Sequence, residues 1–250
     1  MRNTIDILGV KIDKISAEYA LRKAEQMVRT PGVSAIFTPN PEIVMAAYED
    51  PEFKDILNSA DMCTPDGIGV VYAAKMVGTP VPERVAGFDL VCGLLDSLRK
   101  TGEGVFLFGA KPGVAEAARD KLCEEYIGLN IAGTHNGYFS DEDNDEIIKE
   151  INDSGAKLLL VCLGAPKQEK WIYENKNRLT NITLCMGVGG ALDVFAGVAK
   201  RAPEIFIKCN LEWLYRFCKN PSRLGRFAAL PRFILTVRKN EKQKKKQGRS

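Results

Sequence analysis

This sequence predicts an α/β fold, with a largely parallel sheet covered by helices on both faces and a C-terminal basic amphipathic appendage. Three observations carry that expectation. Short apolar or β-branched runs alternate with segments of helical length through most of the chain. Consecutive runs are separated by enough residues for a crossover helix, the connection that parallel strands require. The ends of the runs carry Gly, Pro, Asn and Asp, which turn a chain out of a strand.

Strands are expected at 4–9, 33–38, 61–64, 104–109, 129–133, 157–163 and 182–187. Helices are expected at 16–30, 41–58, 67–77, 87–100, 112–127, 141–154 and 166–179. Ser16 suits the N-cap of the first helix, and Pro31-Gly32 ends it. In "FTPNPEIVM", residues 37–45, Asn40 suits an N-cap, Pro41 the first helical position and Glu42 a positive helix end. The run "VGTPVPER", 77–84, reads as a mobile loop between two halves. Beyond Ala202 the pattern becomes basic and amphipathic, and the end of the chain reads as disordered. The expected division is a core over 1–202, an appendage over 203–240 and a basic tail over 241–250.

With 250 residues, 45% of them hydrophobic, the chain has ample material for a packed core. Its net charge of +3 hides an asymmetry. From Lys200 to Ser250 there are 15 Lys/Arg against Glu204, Glu212 and Glu241, a local charge of +12, so the first 199 residues carry −9. An acidic body with a basic tail points to an anionic partner. The seven cysteines (63, 92, 123, 162, 185, 209, 218) are scattered and form no CxxC pair, which suits small buried hydrophobes in a reducing compartment. The single histidine, His135, gives a zinc site little to work with. Asp6 and Asp13 interrupt the N-terminus where a signal peptide needs an apolar core, and the longest clean apolar run, 158–165, is far short of a membrane span. The expected location is the cytosol, or a membrane surface approached from the cytosol.

Ligands of open parallel sheets collect beyond the carboxyl ends of the strands. Five such ends run into distinctive turns: "TPNPE" at 38–42, "TPDGIG" at 64–69, "GAKPGV" at 109–114, "LGAPKQE" at 163–169 and "GVGGALD" at 187–193. Pro-Asp-Gly is a favoured turn in its own right, and the same stiff turn also holds the Asp66 carboxylate where a general base is needed. The glycines from Gly109 to Gly113 are either a tight β–α turn or a cradle of free N–H groups for a phosphate. They match neither G-x-G-x-x-G nor a P-loop. The glycines of 187–190 serve close packing or approach to a ligand, and Asp193 reads as a helix-start residue. The acidic run "SDEDND", 140–145, has a cation-like spacing, but Ser140 as an N-cap with acids in the first turn accounts for it, so no metal is expected. His135 reads as an incidental loop residue. Tyr138 and Phe139 offer either a base-stacking face or core packing.

The C-terminal region places Ile207, Leu211, Leu214 and Cys218 in an apolar stripe. Arg216, Lys219, Arg223 and Arg226 share a similar angular face, with a break at Pro221, and Trp213, Tyr215, Phe217, Phe227 and Phe233 are interleaved. That mixture suits an anionic membrane surface or a pyrophosphate. It also fits a core-packing helix followed by solvated charge. No nucleic-acid module motif is present, so nucleic acid is not an expected partner.

Taken in order, "TPNPE", "PDGIGVV", "ERVAGFD", "FLFGAKPGVAE", "NGYF", "LGAPKQEKW", "GVGGALDVFAG", "RAPE" and "LEWLYRF…NPSR" resemble the WecG/TagA/CpsF glycosyltransferases from about residue 4 to about residue 226. The resemblance implies an inverting, metal-independent transfer on a Rossmann-like fold, with no cofactor, a UDP-sugar donor and a polyprenyl-diphosphate-linked acceptor. It is nearest to the teichoic-acid members, which move N-acetylmannosamine from UDP onto undecaprenyl-diphosphate-linked N-acetylglucosamine in a β-1,4 linkage. It further implies a homo-oligomer, peripheral on the inner face of the cell membrane, whose C-terminal appendage docks there and helps close the site.

Residue by residue, Asp66 matches the proposed catalytic base, and Thr38 and Asn40 match the active-site turn. Arg84 and Gln168 match polar residues of the donor pocket, with Gly109 and Tyr138 added as donor contacts. Arg216, Arg223 and Arg226 match tail arginines that meet the diphosphate or the membrane. Relatives that use the corresponding uronic acid or glucose-type sugars keep the donor open. After Arg226 the chain continues where some relatives stop sooner. A dinucleotide-dependent oxidoreductase is the reading from another class, and the missing G-x-G-x-x-G weighs against it. A non-catalytic module recruited by its tail is a third.

Overall fold

In a computed structural model the described residues are 2–208, 211–212, 214–215 and 229–247. The chain opens on an antiparallel hairpin, β1 (Thr4–Ile7) and β2 (Val10–Asp13), with Ile7 facing Val10. One strand over 4–9 was expected here. The correction lies in the two-residue turn, where Leu8 and Gly9 both take positive φ, at 54° and 89°. Hairpin turns of this kind are usually announced by Asn-Gly or Asp-Gly, and leucine conceals the signal.

Helix α1 (Ala17–Arg29) starts where Ser16 accepts the Tyr19 N–H, and β3 (Ser34–Phe37) follows. The helix expected over 41–58 is two: α2 (Pro41–Glu49) and α3 (Pro51–Asn58). Asp50 ends one and caps the other from extended backbone (φ −121°, ψ 101°). The residue before a proline is pushed out of helical conformation, so Pro51 forces the break. Then come β4 (Met62–Cys63), α4 (Ile68–Met76), α5 (Gly87–Thr101), β5 (Val105–Gly109), α6 (Val114–Glu125) and β6 (Ile131–His135). The last is shifted two residues from its expected place, so His135 ends a strand. The chain continues through α7 (Asn144–Asp153), β7 (Leu158–Cys162), α8 (Lys167–Asn175), β8 (Leu184–Gly187), α9 (Ala191–Phe195), α10 (Glu204–Lys208) and α11 (Ala229–Gln247).

Six strands form one parallel sheet in the order β4-β3-β8-β7-β5-β6. Its two faces bury separate apolar clusters. Phe106, Phe108, Leu159, Val161 and Cys185 point toward the hairpin, α2, α3, α4, α7, α8 and α11. Val105, Leu107, Leu158, Leu160, Leu184 and Met186 point toward α1, α5, α6 and α9. Covering both faces is why the central strands read as unbroken apolar runs rather than alternating ones.

The C-terminal helix departs from expectation. Phe233 and Val237 of α11 are buried in the first cluster, against α2 and α4. Arg232 pairs with Glu49, and the Lys244 ammonium lies 3.5 Å from Asp6. Residues on both sides of position 202 therefore share one core. The helix also runs through Glu241–Gln247, where disorder was expected. Lys, Gln and Glu are good helix formers, and Pro231 lies in the first turn, where its missing N–H costs nothing. Trp213, Phe217, Phe227, Arg216, Arg223 and Arg226 lie outside the described residues.

Candidate active site

All six sheet strands are parallel, so their carboxyl ends share one edge, and the turns singled out in the sequence gather there. Asp66 leaves β4 in a stiff turn in which its own N–H donates to Thr64 O at 2.9 Å. Gly67 follows with φ +78°, and a Cβ there would lie 3.3 Å from Pro41. At Gly69 a Cβ would reach 2.5 Å from Pro41 and 2.6 Å from Leu230. Glycines in "DGIG" thus let the Asp66 turn, the "TPNPE" turn and α11 pack onto one another.

Asp66 is half-buried and takes the N–H of Gly87, the first residue of α5, on Oδ2 at 3.3 Å. Burial pushes its pKa above the ordinary aspartate value, and Glu212 adds to the rise. The Gly87 N–H and Arg84 work in the opposite direction. A carboxylate with a raised pKa at a positive helix end is suited to taking a proton.

Arg84 is only 15% exposed. Its Nη1 donates to Glu212 Oε2 at 3.3 Å, and its Nη2 lies 4.0 Å from Asp89. Asp89 also pairs with Arg201, whose guanidinium sits 4.6 Å over the Phe88 ring. Sequence reasoning matched Arg84 and missed Glu212, which lies 128 residues away and carries no local signal.

Asn40 caps α2, its Oδ1 accepting the Ile43 N–H at 3.0 Å, as expected. Thr38, in the same turn, lies deeper. It is buried, its hydroxyl donates to Gly187 O at 3.3 Å, and a Cβ on Gly87 would come within 2.9 Å of that hydroxyl. Thr38 lies beneath the α5 start and ties β3 to β8. Gln168 is buried too, with Oε1 accepting the Gly189 N–H at 2.9 Å and Nε2 donating to Glu169 at 2.8 Å. Glu169, at 1% exposure, was not singled out from the sequence; burial raises its pKa to about 7.

Gly109 and Tyr138 belong to the other end of the edge. Four strand spacings separate β4 from β5, roughly 19 Å at the usual 4.8 Å apart. A Cβ on Gly109 (φ +130°) would run into the Cys162 carbonyl, so glycine is required where β5 meets β7. Ala110 N donates to Cys162 O at 3.1 Å, and Gly137 N donates to Ala110 O at 2.8 Å. Lys167 lies 4.2 Å over the Phe139 ring, and Tyr138 is 67% exposed. Helix α6 follows Gly113 with no side-chain cap, and its first N–H, that of Val114, donates to Lys111 O at 3.0 Å. Connections leave β5 and β7 toward opposite faces, which makes the gap between them the crevice where ligands of such sheets bind.

The acidic run at 140–145 closes on itself, with Ser140 and Asp143 forming a capping box. Arg216, Arg223 and Arg226 lie outside the described residues.

A parallel sheet covered on both faces, with a carboxylate, a guanidinium and glycine-rich turns on its carboxyl edge, is consistent with a Rossmann-like glycosyltransferase. The chain belongs to the Glycosyl transferase WecG/TagA/CpsF family, which it matches over residues 5–247. Among similar proteins is the N-acetylglucosaminyldiphosphoundecaprenol N-acetyl-beta-D-mannosaminyltransferase of Bacillus subtilis (strain 168), 40% identical over 212 residues, covering 85% of this chain and 82% of that protein. Another protein of that name, from Staphylococcus aureus (strain MW2), is 35% identical over 244 residues, covering 97% and 95% respectively.

Proposed function

We propose that this enzyme transfers N-acetylmannosamine from UDP to undecaprenyl-diphosphate-linked N-acetylglucosamine with inversion at the anomeric carbon. The observation that carries the reading is the half-buried Asp66 carboxylate, held at the start of α5 beside Arg84 in a chain so similar to enzymes of that name. In the reaction the acceptor hydroxyl oxygen bonds to the anomeric carbon as the bond from that carbon to the UDP oxygen breaks. The hydroxyl proton passes to Asp66, and UDP leaves with the electron pair. Charge building on the departing diphosphate calls for a cation close to Asp66, a need that Arg84 meets. Gly109 and Tyr138 line the nucleotide end of the crevice; Asp66 serves the acceptor end.

The transfer is proposed to need no metal or organic cofactor. Turnover is accordingly expected to persist in EDTA, assayed as UDP release. No helix among the described residues is long and apolar enough to cross a membrane. The lipid-linked acceptor is reached by peripheral docking on the inner face, through the basic C-terminal region.

The deciding experiment is Asp66→Asn with a short-chain lipid-diphosphate acceptor. Turnover should fall by about 10²–10⁴-fold, the usual contribution of one positioned base, while UDP-sugar affinity changes little. Undiminished UDP release by that variant removes Asp66 as the base.

A further inference from the structure

We propose that Glu169 is a positioning residue that acts through Gln168, holding the "GVGG" turn and thereby the floor beneath Asp66. A glutamate in the first turn of α8 would ordinarily face water and the helix dipole. Here it is buried, and among the described residues no Lys or Arg forms an ion pair with it. Its Oε1 accepts the Gln168 Nε2–H at 2.8 Å, while Oε2 is buried with no hydrogen-bond partner. Such an arrangement is costly, and an ordinary fold would fill the space with carbon.

What the arrangement achieves is the orientation of an amide. With Nε2 committed to Glu169, Gln168 must turn Oε1 toward the Gly189 N–H, which it receives at 2.9 Å. Reversing the amide would set NH2 against N–H on one side and oxygen against oxygen on the other. Nε2 also packs against the backbone at Gly187, where a Cβ would approach to 3.0 Å. The Gly187 carbonyl takes the Thr38 hydroxyl, Thr38 packs under Gly87, and the Gly87 N–H binds Asp66. Glu169 therefore stands at the head of one connected path through four strand-end segments and the start of α5, ending on the carboxylate. Neither Glu169 nor Gln168 needs to touch substrate in this role, in keeping with their 1% and 2% exposure.

The inference rests on reading this edge as the donor and acceptor site, and the test separates the two ideas. In the full chain, Glu169→Met removes the acceptor but keeps an apolar filler, whereas Glu169→Gln keeps an acceptor in place. Glu169→Met is expected to fold and to lose at least tenfold in kcat/KM. Gln168→Met should lose a similar amount, and the double variant no more than the worse single one, as residues acting in series require. Glu169→Gln should recover most of the loss. Hydrogen exchange at the Gly189 amide should quicken in Glu169→Met, a readout that needs no turnover.

Unchanged kcat/KM and unchanged Gly189 exchange in Glu169→Met overturn the proposal, as do losses that multiply in the double variant. If Glu169→Met fails to fold, the exchanged pair decides. Gln168→Glu alone should be impaired, and adding Glu169→Gln should restore it, because donor and acceptor are then both present again; no restoration overturns the proposal. A wild-type chain inactive on every UDP-sugar would instead count against the functional reading, leaving the exchange measurement to judge Glu169.

Discussion

At the scale of single residues, Asp66 and Glu169 are two carboxyl groups whose surroundings favour the protonated form for the same reason, burial. For Glu169 this has a stability consequence with a definite sign. In the unfolded chain the group ionises near the ordinary glutamate value of 4.5, while in the fold it keeps its proton up to about 7. Between those values the unfolded state releases a proton that the native state retains, so stability falls as pH rises from about 4.5 to about 7 and then levels off. The loss is on the order of 3 kcal/mol. Glu169→Gln should therefore flatten the pH dependence and be the more stable protein at pH 8, by an amount of that order. Thermal midpoints at pH 5 and pH 8 check it, and parallel curves for variant and wild type would mean the carboxyl is not desolvated. Asp66 makes a separate prediction about rate. A base must be ionised to act, so kcat/KM should fall on acidification at a pH above the ordinary aspartate range, and that limb should survive in Glu169→Gln.

At the scale of elements, α11 is the segment whose role the sequence conceals most. Its composition advertises cations, yet Phe233 and Val237 are fully buried against α2 and α4, and Leu230 meets Gly69 beside the Asp66 turn. Phe233→Ala should cost roughly 3–5 kcal/mol, the usual range for emptying a buried phenylalanine site. Chemical denaturation measures it, and a loss under 1 kcal/mol would show α11 to be an attachment rather than part of the core. Other elements were legible for reasons that can be named. Ser16, Asn40 and Ser140 sit at helix starts because short polar side chains satisfy free N–H groups, a local rule that needs no tertiary contact. Asp66 and Asn40 stand out as candidates because turn chemistry and family likeness both mark them, and Arg84 because of the likeness alone. The hairpin turn at Leu8-Gly9 and the break at Asp50 were missed, one hidden by an unusual turn residue and one by continuous apolar spacing across Pro51. Glu212 and Glu169 were out of reach for another reason. A glutamate that pairs across 128 residues, or is buried in a first helical turn, looks in sequence like any solvated acid.

At the scale of the whole molecule, the sequence sets a −9 body against a +12 C-terminal region, and the described part of that region shows where some of the cations lie. Helix α11 plants its apolar side in the core and leaves Arg238, Lys239, Lys242 and Lys245 exposed, with Leu235 65% exposed among them. Cations near an anionic bilayer contribute about 1 kcal/mol each, and an exposed leucine adds apolar contact. The body's negative charge opposes approach in any other orientation, so the field should turn the α11 side toward the lipid. Replacing Lys239, Lys242 and Lys245 together with Gln removes roughly 3 kcal/mol of that attraction, which is about a hundredfold in affinity. None of the three supports the core, so the melting temperature should stay within a degree or two of wild type. Cosedimentation with vesicles rich in anionic lipid is the measurement, alongside vesicles of neutral lipid alone. Binding to the anionic vesicles should fall steeply as salt shortens the Debye length from about 10 Å at 0.1 M to about 3 Å at 1 M. Binding that survives high salt would point to apolar insertion as the main force. Binding unchanged in the triple variant would move the docking surface off α11 altogether. If the surface is right, the variant should keep its turnover on a short, soluble acceptor and lose it selectively on acceptor embedded in vesicles, because only the second requires the enzyme to find a membrane first.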